Sequence, residues 1–429
     1  MNTKSMRVAS RLIAVVLLVA SGIFTGTSAQ AVGLTQADIY NPAKINTIEF
    51  TIPSASVSAL NNKATAKLYT AASVKVTSGG TSMGPVQIGL RLKGSTSLEL
   101  LDQNPSFKIS FNWKTLKGQR FLGLKGMTLN AMTQDGSKIH EYAAYKMFNA
   151  MNVPAPRTGW ATVKVNGVDR GLYVNVESYD DIFLSTRFTD TSLHLYEGQA
   201  FNDLRPGNAD GLKDTGKYLV KEGWGAAPNK NDLQKLINVA NISNSATWWK
   251  TLPTVADRSE LVRMWAVENF VGHWDGYSGP IINNHFLRSN VAGKFVMMPW
   301  GTDQTFGENR QTDFIPNPII GDDYWFAMDK PQVGFPWVQQ VFKKSVLDRG
   351  MLFRKCLTYA PCKTEYLLQL KAVSAKATSI RLTTAMKNTS TLIAPYTNAA
   401  VKKEQVRVQA WVVKQQARVA ALLKLNKIK

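Results

Sequence analysis

The sequence predicts an α+β chain, rich in strands in its first part and mostly helical in its larger second part. Three observations lead there. Between Ile45 and about Trp113, β-branched and aromatic residues mix with polar ones near period two. From Met351 onward, apolar residues recur at helical spacing among Lys, Arg and Gln. No internal repeat and no Pro/Ser linker divides the 429 residues, so both parts belong to one composite domain.

Residues 1–31 read as a secretion leader: Lys4, Arg7 and Arg11 precede the apolar run LIAVVLLVASGI, and Ala29-Gln30-Ala31 offers a cleavage pattern. The run is short for a membrane span, and no later stretch reaches the length one needs. The expected product is a secreted or cell-surface protein starting at Val32. The strands follow as INTIEFTIP, TAKLYTAASVKVTS, PVQIGLRL and SFKISFNW, punctuated by turns at Gly79-Gly80 and Gly84. Asp135-Gly136-Ser137 reads as the start of an amphipathic helix over 137–150, with Ile139, Ala143 and Met147 on one face. WATVKVNG and RGLYVNVE form a hairpin around Asn166-Gly167, a pair that tolerates the left-handed backbone of a tight turn.

Residues 198–256 are rich in Gly, Asn, Asp and Pro and read as an insertion or substrate-facing loops, with one helix at 231–241. Asp257 and Glu260 suggest a capping box, opening a helix that carries Leu261, Trp265 and Val267 toward Gly272. Residues 308–340 read as irregular, and a last helix at about 400–425 carries Val406, Trp411, Val413, Val419 and Leu422. The division expected is a leader (1–31), a β-rich lobe (32–177), a second lobe with variable loops (178–340) and a basic helical part of the same domain (341–429).

The formal charge is +21, from 51 Lys plus Arg against 30 Asp plus Glu. Residues 341–429 hold 18 of those cations and three acids. Such a surface is either simply solvated or attracted to an anionic envelope polymer, a membrane surface or an acidic substrate. The leader, and the lack of aromatics interleaved with a basic groove, argue against nucleic acid. Four His and two Cys leave little for a zinc cluster, while Cys356 and Cys362 could staple one local loop outside the cell.

Chemistry concentrates in HWDGYSGPIINNHFLRSNVAGKFVMMPWGTDQTFG, residues 273–307. HFLR and KFVMM read as a short hairpin holding Asp275 and Asp303 at adjacent strand ends, with Asn284 entering it. Two carboxylates and an amide are hard oxygen donors suited to Mg²⁺ or Mn²⁺. Their chain order matches phosphoryl transfer, where one Asp orients the acceptor hydroxyl while an Asn and a later Asp hold metal on the phosphates. The same residues also serve as ordinary turn formers. Lys108 on SFKISF and Glu141 in the next helix stand where such a site needs a phosphate lysine and its acid. Arg91 and Lys93 flank a small-residue turn, RLKGSTS, able to cradle phosphate.

Eight segments in order resemble the spore-coat CotH-type secreted kinase family: residues 91–97, 106–111, 129–157, 165–177, 195–198, 272–279, 283–288 and 298–307. The resemblance implies an atypical protein-kinase-like fold and transfer of the ATP γ-phosphate to Ser or Thr of secreted or surface proteins. By it, Asp275 is the catalytic Asp, Asn284 and Asp303 are metal ligands, Lys108 is the phosphate lysine, and Glu177 lies near the nucleotide base or is structural. The chain departs from the pattern at Asn104-Pro105, where a Lys pair is usual, at His285, where an aromatic is frequent, and near His140, where Arg is usual. The alternative is a non-catalytic envelope or spore-coat-like protein that binds through its basic C-terminal part. A glycosidase built on Asp275 and Asp303 lacks any evident reason for a raised carboxyl pKa.

Overall fold

The computed structural model describes residues 33–94, 97–200, 202–206, 218–223, 225, 227–279, 281–307, 332–333, 346–347 and 349–428. The leader, most of the irregular 308–340 stretch and part of the loops after Gln199 lie outside them. The chain is α+β, with a β-rich N-terminal part and a helix-rich C-terminal part.

Seven strands close into a barrel in the order β1-β2-β3-β4-β5-β7-β6. They are β1 (Ile45–Thr51), β2 (Thr70–Ser78), β3 (Thr81–Lys93), β4 (Ser106–Ser110), β5 (Gly126–Asn130), β6 (Thr158–Val165) and β7 (Val168–Val176). Closure comes from β1 running parallel to β6, Ile48 beside Val163. Alternation sends Val74, Leu90, Phe107, Ile109 and Leu129 into the barrel core. The intervening residues Arg91, Lys93, Lys108, Thr128 and Asn130 therefore share the outer face, with Arg91 paired to Lys108 and Lys108 to Thr128. The β6–β7 turn has positive φ at both Asn166 and Gly167, as a two-residue hairpin requires. Gly84 is not a turn; it lies inside β3, beside the shift in register at Val74/Val76. Residues 65–69, expected as strand, precede β2 without strand structure.

After the short helices α1 (Gln36–Ile39) and α2 (Ser54–Leu60), helix α3 (His140–Ala150) leaves the barrel and packs on both β6–β7 and the second core. It starts three residues later than expected because Asp135 uses its carboxylate on the loop before it, accepting from the Ser137, Lys138 and His140 amides at 2.8 Å each. Past α4 (Asp181–Ser185), α5 (Asn231–Ala240) and α6 (Ser245–Thr251), the second core is built on α7 (Arg258–Val271) and the helices α8 (Met351–Thr358), α9 (Ala360–Ser379), α10 (Leu382–Ile393) and α11 (Ala399–Leu425). Its sheet orders β11-β10-β8-β9: β8 (Leu195–Glu197), β9 (Leu219–Glu222), β10 (His285–Ser289) and β11 (Phe295–Pro299). Part of the supposed insertion is thus integral to the fold, since β9 pairs with β8, which pairs in turn with β10. The expected helix at 231–241 is present as Asn231–Ala240. Cys356 and Cys362 are disulfide-bonded. Among the described residues, no helix is long and apolar enough to cross a membrane.

Two local expectations need correction. Asp257 caps α7 by accepting from the Glu260 amide at 3.0 Å, but Glu260 does not return the bond; it turns inward and accepts from Met297 N at 3.0 Å. On α11, Val406 and Val413 are 66% and 59% exposed. The buried stripe is Gln405, Val408, Trp411, Val412, Gln415, Val419 and Leu423, and the two inward glutamines disguise it. Gln405 Nε2 donates to Ser137 O at 3.1 Å. Trp411 Nε1 donates to Phe270 O at 3.2 Å, and the indole packs so tightly on Gly272 that a Cβ there would stand 2.8 Å from its ring. Arg407 Nη1 donates to Phe306 O at 2.7 Å. The basic C-terminal helix is therefore the back wall of the 272–307 segment. Trp411→Ala should cost about 3–5 kcal/mol in urea unfolding, whereas Val413→Ala should stay within about 0.5 kcal/mol of wild type.

Candidate functional site

The site lies where α7 ends and the β10–β11 hairpin begins. Helix α7 stops at Gly272, whose left-handed backbone (φ 70°) turns the chain into the loop carrying Asp275. That loop is pinned from beneath: Glu268 accepts from Tyr277 N at 3.0 Å and from Ser278 N at 2.9 Å. His273 Nε2 donates to Trp300 O at 2.9 Å, tying the loop to the end of β11. Asn284 precedes β10, and its Nδ2 donates to Asp275 Oδ2 at 2.7 Å. Asn283 Nδ2 reaches the same carboxylate at 3.3 Å. Gly301 leaves room for this arrangement, since a Cβ there would meet Asn284 Oδ1 at 2.7 Å. Two residues on, Asp303 is anchored to the start of α3 by its carbonyl, which accepts from His140 Nδ1 at 2.8 Å. Asp275, Asn284 and Asp303 each keep part of their surface exposed within otherwise buried segments.

The carboxyl groups here interact strongly. Burial, then repulsion from Asp303, pushes Glu141 up to about 8, opposed by Lys93 and by the Asn130 amide that donates to it at 2.7 Å. Asp303 is raised by burial and by Asp135, and Lys93 pulls it back. Asp275 is raised well above the usual range by burial and by Asp303, against the donors Asn283 and Asn284. Facing this acidic group is the outer side of β3 and β4. Burial, then the neighbouring Arg91 charge, brings Lys108 down to about 8. Lys93 is thus the cation of this strand face that acts on the carboxyls, while Arg91 and Lys108 lie on the same face and repel each other.

The expected site residues divide accordingly. Asp275, Asn284, Asp303, Glu141 and Lys93 are brought together. Arg91 and Lys108 sit further along the same face, where the acid acting on Lys108 is Glu197 of β8. Glu141 therefore bears on Lys93 and not on Lys108. Glu177 is sunk between Arg157 and Arg187, accepting from Arg157 N at 3.0 Å, and braces the end of β7. His285 is a packing residue. Burial brings its pKa down to about 4, Nδ1 donates to Asn283 O at 2.8 Å and Nε2 accepts from Tyr218 OH at 3.0 Å. At Asn104, Oδ1 accepts from Tyr173 OH at 3.1 Å. Sequence reasoning missed Glu268, Asp135 and His140. The signal for Glu268 was an acid inside the apolar stripe of α7.

Among the described residues, no set of three or more His, Cys, Asp or Glu side chains is arranged to hold a metal. The donors that converge are two carboxylates and an amide, a set that fits Mg²⁺ or Mn²⁺ completed by phosphate oxygens. Carboxyl repulsion of this kind is what a bound divalent cation would relieve.

The family model described as CotH kinase protein matches residues 90–417. A curated relative, inner spore coat protein H of Bacillus subtilis (strain 168), is 26% identical over 213 residues, covering 48% of this chain and 55% of its own. The chain thus matches about half the length of that relative. A solved structure titled as a Helicobacter pylori proinflammatory kinase, CtkA, aligns with a TM-score of 0.38 at 12% identity, covering 74% of this chain and 95% of the other.

Glu268 supplies a test of how the loop is held. Burial pushes its carboxyl from 4.5 to about 7, against the donating Ser278 and Tyr277 amides. A raised carboxyl binds more protons folded than unfolded, so its contribution is full below pH 4.5 and is lost as pH rises through about 7. Subtracting the urea stability of Glu268→Gln from that of wild type should leave a difference that declines across this window, by up to ~3 kcal/mol. A flat difference would show that Glu268 is not held this way.

Proposed function

The chain belongs to the CotH kinase family, and on that premise we propose that it transfers the γ-phosphate of ATP to Ser or Thr hydroxyls of secreted or cell-surface proteins. The observation that carries this reading is the bonded pair Asp275–Asn284 beside Asp303, with Lys93 acting on the acids and Arg91 and Lys108 further along the same sheet face. Acids and cations so placed suit a metal nucleotide: the cations take phosphate oxygens, and the acids take the metal.

In this reading Asn284 and Asp303 would hold Mg²⁺ or Mn²⁺, which supplies charge neutralisation on the phosphates when bound. Lys93, positioned by Glu141, and Lys108 with Arg91 bind and orient the phosphate chain. Asp275 accepts the proton of the incoming hydroxyl as its oxygen bonds to the γ-phosphorus and the bond to ADP breaks. The Asn283 and Asn284 amides fix the carboxylate's direction. The leader and the family likeness support action outside the cytoplasm.

Asp303→Ala should abolish most metal-dependent ATP binding in calorimetry. Asp275→Asn should keep nucleotide affinity within about threefold while losing at least 10²-fold in label transfer from γ-labelled ATP to secreted proteins. Equal ATP affinity in wild type and Asp303→Ala would remove Asp303 from the site. Binding without transfer to any secreted protein would leave a nucleotide-binding protein without kinase activity.

A second reading, attachment to an anionic envelope polymer, is favoured by the exposure of Lys402, Lys403, Lys414 and Lys424 along α11. Retention on purified anionic wall material should then fall as salt rises from 0.1 to 1 M, where the Debye length shrinks from about 10 Å to about 3 Å. Unchanged retention would mark these lysines as merely solvated.

A further inference from the structure

At the opposite end of α7 from Asp275 lies a cavity of about 470 Å³, walled by the first turn of α7, the far end of β10–β11 and Phe188. The 14 residues of α7 separate the two places by about 20 Å, at ~1.5 Å per residue. The far strand ends are tied to this wall: Phe295 N donates to Val255 O at 2.9 Å and Asp257 N to Phe295 O at 2.8 Å.

Arg288 lines this cavity and is only 4% exposed. Among the described residues its guanidinium donates no hydrogen bond, and Nε and Nη2 are buried without an acceptor. The guanidinium lies over the Phe188 ring at 4.3 Å, which holds it in place without satisfying a donor. Its nearest acid, Asp190, stands 3.7 Å from Nη2, beyond bonding length. That carboxylate is committed to the Ser192 amide at 2.9 Å and the Val291 amide at 2.7 Å. A buried guanidinium with unmet donors is costly unless an acceptor arrives. The same cavity is lined by Lys294, Ser259 and Arg258, the last also 3.8 Å from Glu365. Asp257 spends its carboxylate on the Glu260 amide, leaving the Arg258 and Ser259 amides at the positive end of a four-turn helix.

We propose that this cavity is a second anion site that takes a phosphate group, separate from the Asp275–Asp303 site. Guanidinium edge, ammonium and two helix-terminal amides offer more donors than the two oxygens of a carboxylate can use, and they match the three oxygens of a phosphoryl group. The group could arrive as free phosphate or on a phosphorylated peptide. The assignment does not depend on phosphoryl transfer at the other end of α7.

The test uses the full mature chain and fluorescence anisotropy with a short labelled Gly/Ser peptide carrying one phosphoserine. Its unphosphorylated and Glu-substituted forms serve as controls, and inorganic phosphate as competitor. The phosphopeptide should bind more tightly than both control peptides and be displaced by phosphate. The exposed substitution Lys294→Glu should weaken it roughly tenfold, equivalent to ~1.4 kcal/mol, and Arg288→Gln should weaken it further. Should Arg288→Gln fail to fold, Lys294→Glu carries the test alone. Binding should survive Asp303→Ala, which separates this site from the first. Phosphate displacing the peptide at equal affinity identifies free phosphate as the ligand, and a tighter phosphopeptide identifies the peptide. Equal binding of the phosphorylated and Glu-substituted peptides, indifference to Lys294→Glu, or loss in Asp303→Ala would each overturn the proposal.

Discussion

Asp135, Glu141, Asp275 and Asp303 come from three separate stretches of chain, and repulsion within the group adds to burial in raising the proton affinity of the last three. Left to themselves such groups would move apart, and much of the surrounding structure serves to prevent it. Asp135 spends its oxygens on four donors at the start of α3, which sets where Glu141 points. His140 fixes the backbone of Asp303, and Glu268 holds the loop of Asp275 from below. Each brace is a buried or part-buried hydrogen bond whose removal strands a partner, the costly direction of change.

The same constraint explains the place of the C-terminal helices. Their net positive charge suggests an appendage, yet α11 presses Trp411 on Gly272 and bonds to Phe306 and Ser137. These contacts touch the loop before Asp275, the loop after Asp303 and the loop before α3. The helix thus closes the back of the site with its inner face while its outer face presents lysines to solvent. The two roles occupy different faces and do not compete.

Local features were legible where the signal is itself local. The Asn166-Gly167 turn, the Gly272 stop of α7, the Asp257 cap and the HFLR/KFVMM hairpin each depend on a few adjacent residues. The approach of Asn284 to the Gly301–Asp303 turn followed from the hairpin, because one short turn brings its two ends together. Long-range pairing was not legible. Period-two alternation says which face of β1 is buried but not that β1 lies parallel to β6, so barrel closure had no sequence signal. For the same reason Glu141 was assigned to Lys108, whereas strand register sets Lys93 nearer the acids. Glu268 and the inward glutamines of α11 were hidden because a buried polar residue has the same letter as an exposed one. Family likeness supplied roles that spacing alone left open, and it carried no information on the Arg288 cavity.

The central claim is electrostatic: burial and mutual repulsion raise the proton affinity of the acidic cluster, and a metal nucleotide bound there would expel protons. Calorimetric titration of Mg²⁺-saturated ATP at neutral pH, in two buffers of different ionisation enthalpy, counts those protons directly. The account predicts net proton release on binding and a smaller release in Glu141→Gln, whose carboxyl is pushed up to about 8 in the free protein. Heats that do not depend on the buffer, with the same nucleotide affinity in the presence and absence of metal, would contradict it.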